Sequence, residues 1–183
     1  SRLDKITAAN MTRAWLNVPH VTQFDDADIT DLETFRKSLK AEAERKGTKM
    51  TPMPFILKAC AVALNAHPKL KASLADGGET LVYKHYCHIG MAVDTTAGLM
   101  VPVIRDVDKK SRWERGTEVL DLAAAAKDKK LRPDQMQGGV FTVSSLGGIG
   151  GRGFTPIVNA PEVAILGVSR ADVKPVWDGH SFV

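Results

Sequence analysis

The sequence predicts a single mixed α/β domain, on three observations. Stretches such as residues 88–94 alternate apolar and polar residues with a period of two, the mark of a half-buried strand. Ser/Thr followed three residues later by Glu, at Thr30/Glu33 and Ser111/Glu114, is the mark of a capped helix start. The 183 residues, 44% hydrophobic and 25% charged, suit one globular core.

Residues 3–16 read as a helix with Leu3, Ile6 or Thr7, Asn10 or Met11, and Ala14 on one face, stopped by Pro19. Residues 20–24 read as a strand. Thr30, as N-cap, and Glu33 open a helix with Leu32, Phe35, Leu39 and Ala43 on one side and Arg36 on the polar side; Gly47 ends it. Thr51 and Pro52 start the next helix, with proline at its first position. Residues 52–66 are apolar nearly all round, which predicts a buried helix too short to span a membrane; Pro68 closes it.

Gly77-Gly78 marks a hairpin. In residues 88–94, Ile89, Met91 and Val93 face one way; residues 95–98 turn the chain and 99–104 run back. Ser111 caps a helix carrying Val119, Leu120 and the alanines at 123–126. Residues 140–144 read as a strand and residues 162–169 as a buried strand. Residues 175–177 begin another, with a hairpin turn at Asp178-Gly179. The return arm holds only residues 181–183. A hairpin pairs its backbone through both arms, so the expectation is a chain cut short.

Composition narrows the function. The net charge of +4 is mild and suits a polyanionic ligand, but no Lys/Arg block is interleaved with aromatics, so nucleic acid is not expected. Cys60 and Cys87 are the two cysteines, outside any C-x-x-C, and read as reduced, buried thiols of a reducing compartment. His85, Cys87 and His88 are not expected to hold a metal, because neighbouring strand side chains point to opposite faces. No signal peptide or membrane-length run is visible.

The chemistry concentrates in residues 138–153, GGVFTVSSLGGIGGRG. A strand delivers Ser144 and Ser145 to its end, and five glycines follow between 147 and 153. Such a bare backbone lets a ligand approach closely. Residues 148–153 match G-x-G-x-x-G, but Pro156 and Pro161 oppose the helix that a dinucleotide site needs. No P-loop Gly-Lys-Ser/Thr and no G-x-S-x-G hydrolase elbow is present.

Four ordered stretches, NVPHVTQFDDADIT, IGMAVDTTAGLMVPVIRDV, GGVFTVSSLGGIGG and PIVNAPEVAILGVS, resemble the catalytic core of dihydrolipoamide acyltransferases. These are the E2 components of 2-oxo acid dehydrogenase complexes, and the resemblance is strongest to the acetyl-transferring members of bacterial pyruvate dehydrogenase complexes. It covers essentially the whole chain. It implies a chloramphenicol-acetyltransferase-like two-layer α/β sandwich, a mixed sheet with flanking helices. It also implies a bacterial cytoplasmic homotrimer whose channels between subunits admit coenzyme A or acetyl-CoA at one end. The lipoyl group of a separate lipoyl domain enters at the other. E1 and E3 components would bind through domains outside these residues.

The implied reaction moves an acyl group between two thiols. A histidine takes the thiol proton and a serine hydroxyl stabilises the oxyanion. The serine maps to Ser144. The histidine belongs to a D-H-R-x-x-D-G motif, absent from residues 1–183. The domain is therefore expected to span 1–183 without its C-terminal strand-helix segment, to be nearly inactive, and not to build the polyhedral core. His20, His67, His85, His88 and His180 are poor substitutes for the base. The resemblance assigns coenzyme A contacts to Arg36, Thr51, Asp94, Ser144, Ser145 and Ser169. The alternative function is a non-catalytic assembly or scaffold fragment of the same core.

Overall fold

The computed structural model describes residues 2–182. In chain order the elements are α1 (Arg2–Asn17), α2 (Thr30–Ser38), α3 (Lys40–Arg45), α4 (Met53–Ala66), β1 (Ser73–Ala75), β2 (Thr80–Val82), β3 (Ile89–Met91), β4 (Val93–Thr95), β5 (Gly98–Met100), β6 (Val103–Ile104), α5 (Arg112–Lys127), β7 (Phe141–Ser145) and β8 (Ile165–Val168). The main sheet has the order β6-β3-β7-β8. β3 runs antiparallel to β6 and parallel to β7, and β7 runs parallel to β8. This is the mixed sheet with flanking helices that the sequence predicts. Two antiparallel hairpins, β1-β2 and β4-β5, stand beside it.

Alternation along the strands sorts the sheet into two faces. Ile89, Met91, Phe141 and Val143 pack with Leu57, Cys60 and Leu64 of α4 and with Val119, Leu122 and Ala126 of α5. Cys60 and Cys87 lie in this core as free, buried thiols, as expected. Burial pushes both thiols up to about 11, so neither supplies thiolate at neutral pH. Arg115 is buried too, and its guanidinium donates to the carbonyls of Pro54, Val107 and Lys110, tying α5 to α4 and the β6–α5 turn.

The helix at 111 starts as predicted: Glu114 N–H donates to Ser111 Oγ at 3.3 Å, and Ser111 N–H to Glu114 Oε2 at 2.7 Å. The predicted box at Thr30 does not form. Ile29 is the N-cap, and Glu33 gives its carboxylate to Arg36 instead of the backbone. Asp28 Oδ1 accepts from Thr30 N–H at 2.9 Å in its place. The single helix predicted from there to Gly47 is two, α2 and α3, joined at Leu39. Gly47 does end the second, at φ 66°.

Four other expectations change. Residues 20–24 are not a strand: among the described residues no segment pairs with them. α4 buries Pro54, Leu57, Cys60, Ala61 and Leu64 along one stripe, while Val62 is 59% exposed, so it is not buried all round. β8 is the edge of the sheet and only partly covered, not a buried strand. The strand predicted at 175–177 reduces to one antiparallel bridge between Trp177 and Phe182, although Asp178 and Gly179 turn the chain there.

Candidate functional site

β7 sits between two parallel neighbours, and all three strands end on the same side of the sheet. Ser144 pairs with Gly167 and Ser145 with Val168. The strand ends there, and Ile149 and Gly150 N–H both turn back to the Leu146 carbonyl at 2.8 and 2.9 Å. No helix follows the glycines among the described residues, so the G-x-G-x-x-G match at 148–153 is not a dinucleotide loop. Gly150 and Gly151 take φ of 127° and 88°, backbone that side-chained residues rarely adopt.

The six residues assigned by resemblance fall into two groups. Ser144, Ser145 and Ser169 lie together where β7 and β8 end: Leu146 N–H donates to the Val168 carbonyl at 2.8 Å, placing Ser169 beside the start of the glycine loop. Ser145 Oγ accepts from Gly147 N–H at 3.3 Å. Asp94 lies on β4, just past the end of β3, exposed and opposite Leu99. Arg36 and Thr51 form the second group. Arg36 donates to both Glu33 carboxylate oxygens at 2.8 Å and to the Met50 carbonyl at 3.1 Å, next to Thr51. The Arg36 guanidinium holds the Glu33 carboxyl below its usual range. Thr51 caps nothing: the α4 N-cap is Pro52, with no side-chain bond. A cleft of about 400 Å³ lies beside Arg36 and Met50, lined also by Lys37, Lys40, Lys49 and Glu44, so cations outnumber carboxylates on its wall.

The side chains of Ser144 and Ser145 point to opposite faces. Ser144 shares its face with Thr142, away from α4 and α5. Residues 153–162 cover that face. A β-carbon on Gly167, the partner of Ser144, would meet Phe154 at 3.1 Å and Pro156 at 3.2 Å. His20 ties the N-terminal arm to the same cover: its Nδ1–H donates to the Val18 carbonyl at 2.7 Å and its Nε2 accepts from Val158 N–H at 3.0 Å. Both nitrogens are engaged, which makes His20 a packing histidine. His88 Nδ1 accepts from Asp106 N–H at 3.0 Å.

Sequence reasoning missed Glu162. Its carboxylate is buried, 7% exposed, and accepts from the Thr142 hydroxyl at 2.7 Å. Burial raises its pKa to about 7, against the opposing pull of Thr142, Asn159 and Lys84. The available signal was a carboxylate at the head of an apolar strand directly after a proline.

Three parallel strands thus end together at a hydroxyl pair and a glycine loop. The chain matches the 2-oxoacid dehydrogenases acyltransferase (catalytic domain) family over residues 1–183 and is a member of it. It is 60% identical over 182 residues to the dihydrolipoyllysine-residue acetyltransferase component of the pyruvate dehydrogenase complex of Pseudomonas aeruginosa, spanning 100% of this chain and 33% of that protein. The corresponding Azotobacter vinelandii protein is 59% identical, with 28% of its length covered. The chain thus spans about a third of the length of these curated relatives. Its structure superposes with a TM-score of 0.98, at 58% identity, on Azotobacter vinelandii dihydrolipoamide acetyltransferase, covering 100% of this chain and 75% of that one. That structure was determined to define the role of a serine, a histidine and an asparagine in its catalytic mechanism. A probable dihydrolipoamide acetyltransferase from Listeria monocytogenes matches at 30% identity and a TM-score of 0.95, covering 100% of this chain and 78% of that one.

Proposed function

We propose that this chain is the acetyltransferase core of a pyruvate dehydrogenase complex, moving acetyl between the dihydrolipoyl group of a lipoyl domain and coenzyme A. The observation that carries this reading is the placement of Ser144, at the end of the central parallel strand, where a covering segment meets a glycine loop that presents bare backbone. The Ser144 hydroxyl donates a hydrogen bond to the oxyanion formed when a thiolate attacks the thioester carbonyl. Ser145, Ser169 and Asp94 line the same end of the sheet as ligand contacts. The Arg36–Thr51 group, beside a cleft rich in lysines, receives the phosphates of coenzyme A. Glu33 already neutralises Arg36, so the lysines supply the free positive charge. Three copies form the trimer between which the channels lie.

General-base work falls to a histidine that residues 1–183 do not supply. By themselves these residues turn over slowly at best, by the thiolate already present, because general-base assistance is worth roughly a hundredfold to ten-thousandfold.

The test is acetyl transfer from acetyl-CoA to dihydrolipoamide, by these residues and by a chain continuing through a D-H-R-x-x-D-G segment. The longer chain is expected to be active. In it, Ser144→Ala should lower kcat by about a hundredfold to a thousandfold, the cost of one oxyanion donor, with coenzyme A affinity little changed. Loss of binding with turnover of bound substrate intact would make Ser144 a ligand contact instead.

A further inference from the structure

The face of the sheet that carries Ser144 is held down at one buried polar contact. Thr142 stands two residues before Ser144 on β7, hence on the same face. Its hydroxyl bonds Glu162 Oε2 at 2.7 Å, and both residues are buried, at 2% and 7% exposure. Two glycines leave room for this contact. A β-carbon on Gly139 would lie 3.1 Å from Glu162 Oε1, and one on Gly90, the β3 partner of Thr142, would lie 2.9 Å from Thr142 Oγ1. Glu162 N–H also donates to the Asn159 carbonyl at 3.1 Å, closing the turn that ends the covering segment.

We propose that Glu162 is a positioning residue: by locking onto Thr142 it clamps the 153–162 cover against β7 and fixes the place of the Ser144 hydroxyl and the glycine loop behind it. The catalytic part of this inference rests on the acetyltransferase reading; the clamp does not.

The carboxyl has no ion-pair partner among the described residues within salt-bridge distance. Lys84, on the segment after β2, is the charged group that acts on it, and Lys84 Nζ is committed to Ser73 Oγ. Gly138, next to Gly139, adjoins Arg105 and His88, and Arg105 donates to the carbonyls of Asp134 and Gln137. An acid in this setting favours its neutral form, and as a neutral acid it keeps the hydrogen bond to Thr142 without burying a charge. The folded pKa of about 7 lies above the ordinary value of 4.5. The stabilisation is therefore complete below the ordinary value and is lost as pH rises through about 7.

The experiment compares wild type with Glu162→Gln, Glu162→Leu and Thr142→Val at fixed protein concentration. Between about pH 6 and about pH 8 the wild-type unfolding constant should rise about tenfold relative to Glu162→Gln, which carries a neutral hydrogen-bonding group at every pH. Equal pH slopes in the two proteins would overturn the neutral-acid clamp. Amide exchange at residues 144–148 reads positioning directly, with or without catalysis. It should quicken about tenfold in Glu162→Leu and in Thr142→Val and return to the wild-type rate in Glu162→Gln. Should the leucine variant fail to fold, the near-isosteric Thr142→Val decides alone. Unchanged exchange at 144–148 would overturn the positioning role. In an active chain, Thr142→Val should lower kcat and spare the KM for coenzyme A. An acetyl-transfer assay that gives nothing in any wild-type form sinks the proposed function, while the exchange and pH arms still decide the clamp.

Discussion

The sheet with α4 and α5 and the two arms, residues 15–29 and 169–182, are both rich in apolar side chains, and their outcomes differ. In the first, Leu57, Ile89, Ile104, Val107 and Val143 are wholly buried. In the arms, Trp15 is 60% exposed, Val21 96% and Val173 105%. The arms also lack regular structure beyond the end of α1 and the Trp177–Phe182 bridge. They touch each other through Lys174 and Asp26, and the first reaches the sheet's cover through His20. The difference teaches that hydrophobic pattern foretells burial only where the partner surface lies in the same chain. Residues 20–24 have strand-forming side chains and, among the described residues, no ladder to join. Large apolar patches on a surface mark interaction sites, and Trp15, Leu16, Val21 and Phe24 of the first arm are all exposed.

The sharpest break would come from truncating one apolar residue in each region. Leu57→Ala should cost about 2–5 kcal/mol, because a fully buried leucine leaves both a transfer loss and a cavity. Val21→Ala should stay within about 0.5 kcal/mol, as for a surface change. Urea unfolding followed by circular dichroism measures both. A loss at Val21 as large as that at Leu57 would show that the arm is buried, by its own chain or by a neighbouring copy, and the dependence of the midpoint on protein concentration would say which.

Next in size is Arg115→Met. The aliphatic replacement fills much of the space but leaves the Pro54, Val107 and Lys110 carbonyls without their donor in a buried setting. The expected cost is about 1–3 kcal/mol. Lys174→Ala, which removes the exposed pair joining the arms, should leave the urea midpoint where it is. If the two variants behaved alike, the central polar ties would matter no more than the peripheral ones.

The arms can be tested for assembly by Val21→Asp, which adds a charge to the exposed segment. Light scattering should report a mass lowered towards one chain, with far-ultraviolet circular dichroism unchanged. An unaltered mass would show that the arm does not carry the contact between copies.

The central region was the more legible one in the sequence, for physical reasons that its residues display. The β-rich run at 140–144 named a strand that does form, and the period-two alternation at 88–94 named one that forms in two pieces, β3 and β4, broken at Ala92, because each found neighbours within the chain. Gly47, Gly77-Gly78 and Asp178-Gly179 named turns that form, because their backbone geometry is local. Ser144, Ser145 and Ser169, which the resemblance named as ligand contacts, lie together where β7 and β8 end. Glu162 was not legible: the contact that gives it meaning spans 20 residues and needs Gly90 and Gly139 to make space. The pairing of Arg36 with Glu33 was hidden differently. Local sequence offered Glu33 two partners, the backbone ahead of it and the guanidinium one turn on, and the charge-assisted pair won.

That competition gives the smallest and most local prediction. Thr30/Glu33 and Ser111/Glu114 carry the same spacing, and only the second makes both reciprocal bonds. Ser111 faces no competing cation for its glutamate in the first turn that matches the bidentate grip of Arg36 on Glu33. Ser111→Ala should therefore cost about 1 kcal/mol, the ordinary worth of an N-cap hydroxyl. Thr30→Ala should change stability by less than about 0.5 kcal/mol, since Asp28 still accepts from the residue-30 backbone N–H. The pair can be read by urea unfolding, and the contrast can be inverted by design. Arg36→Ala frees the Glu33 carboxylate to reach back to the backbone, so in that background Thr30→Ala should become more costly than it is alone. If the threonine substitution costs the same with and without Arg36, competition for Glu33 is not what keeps the first box open.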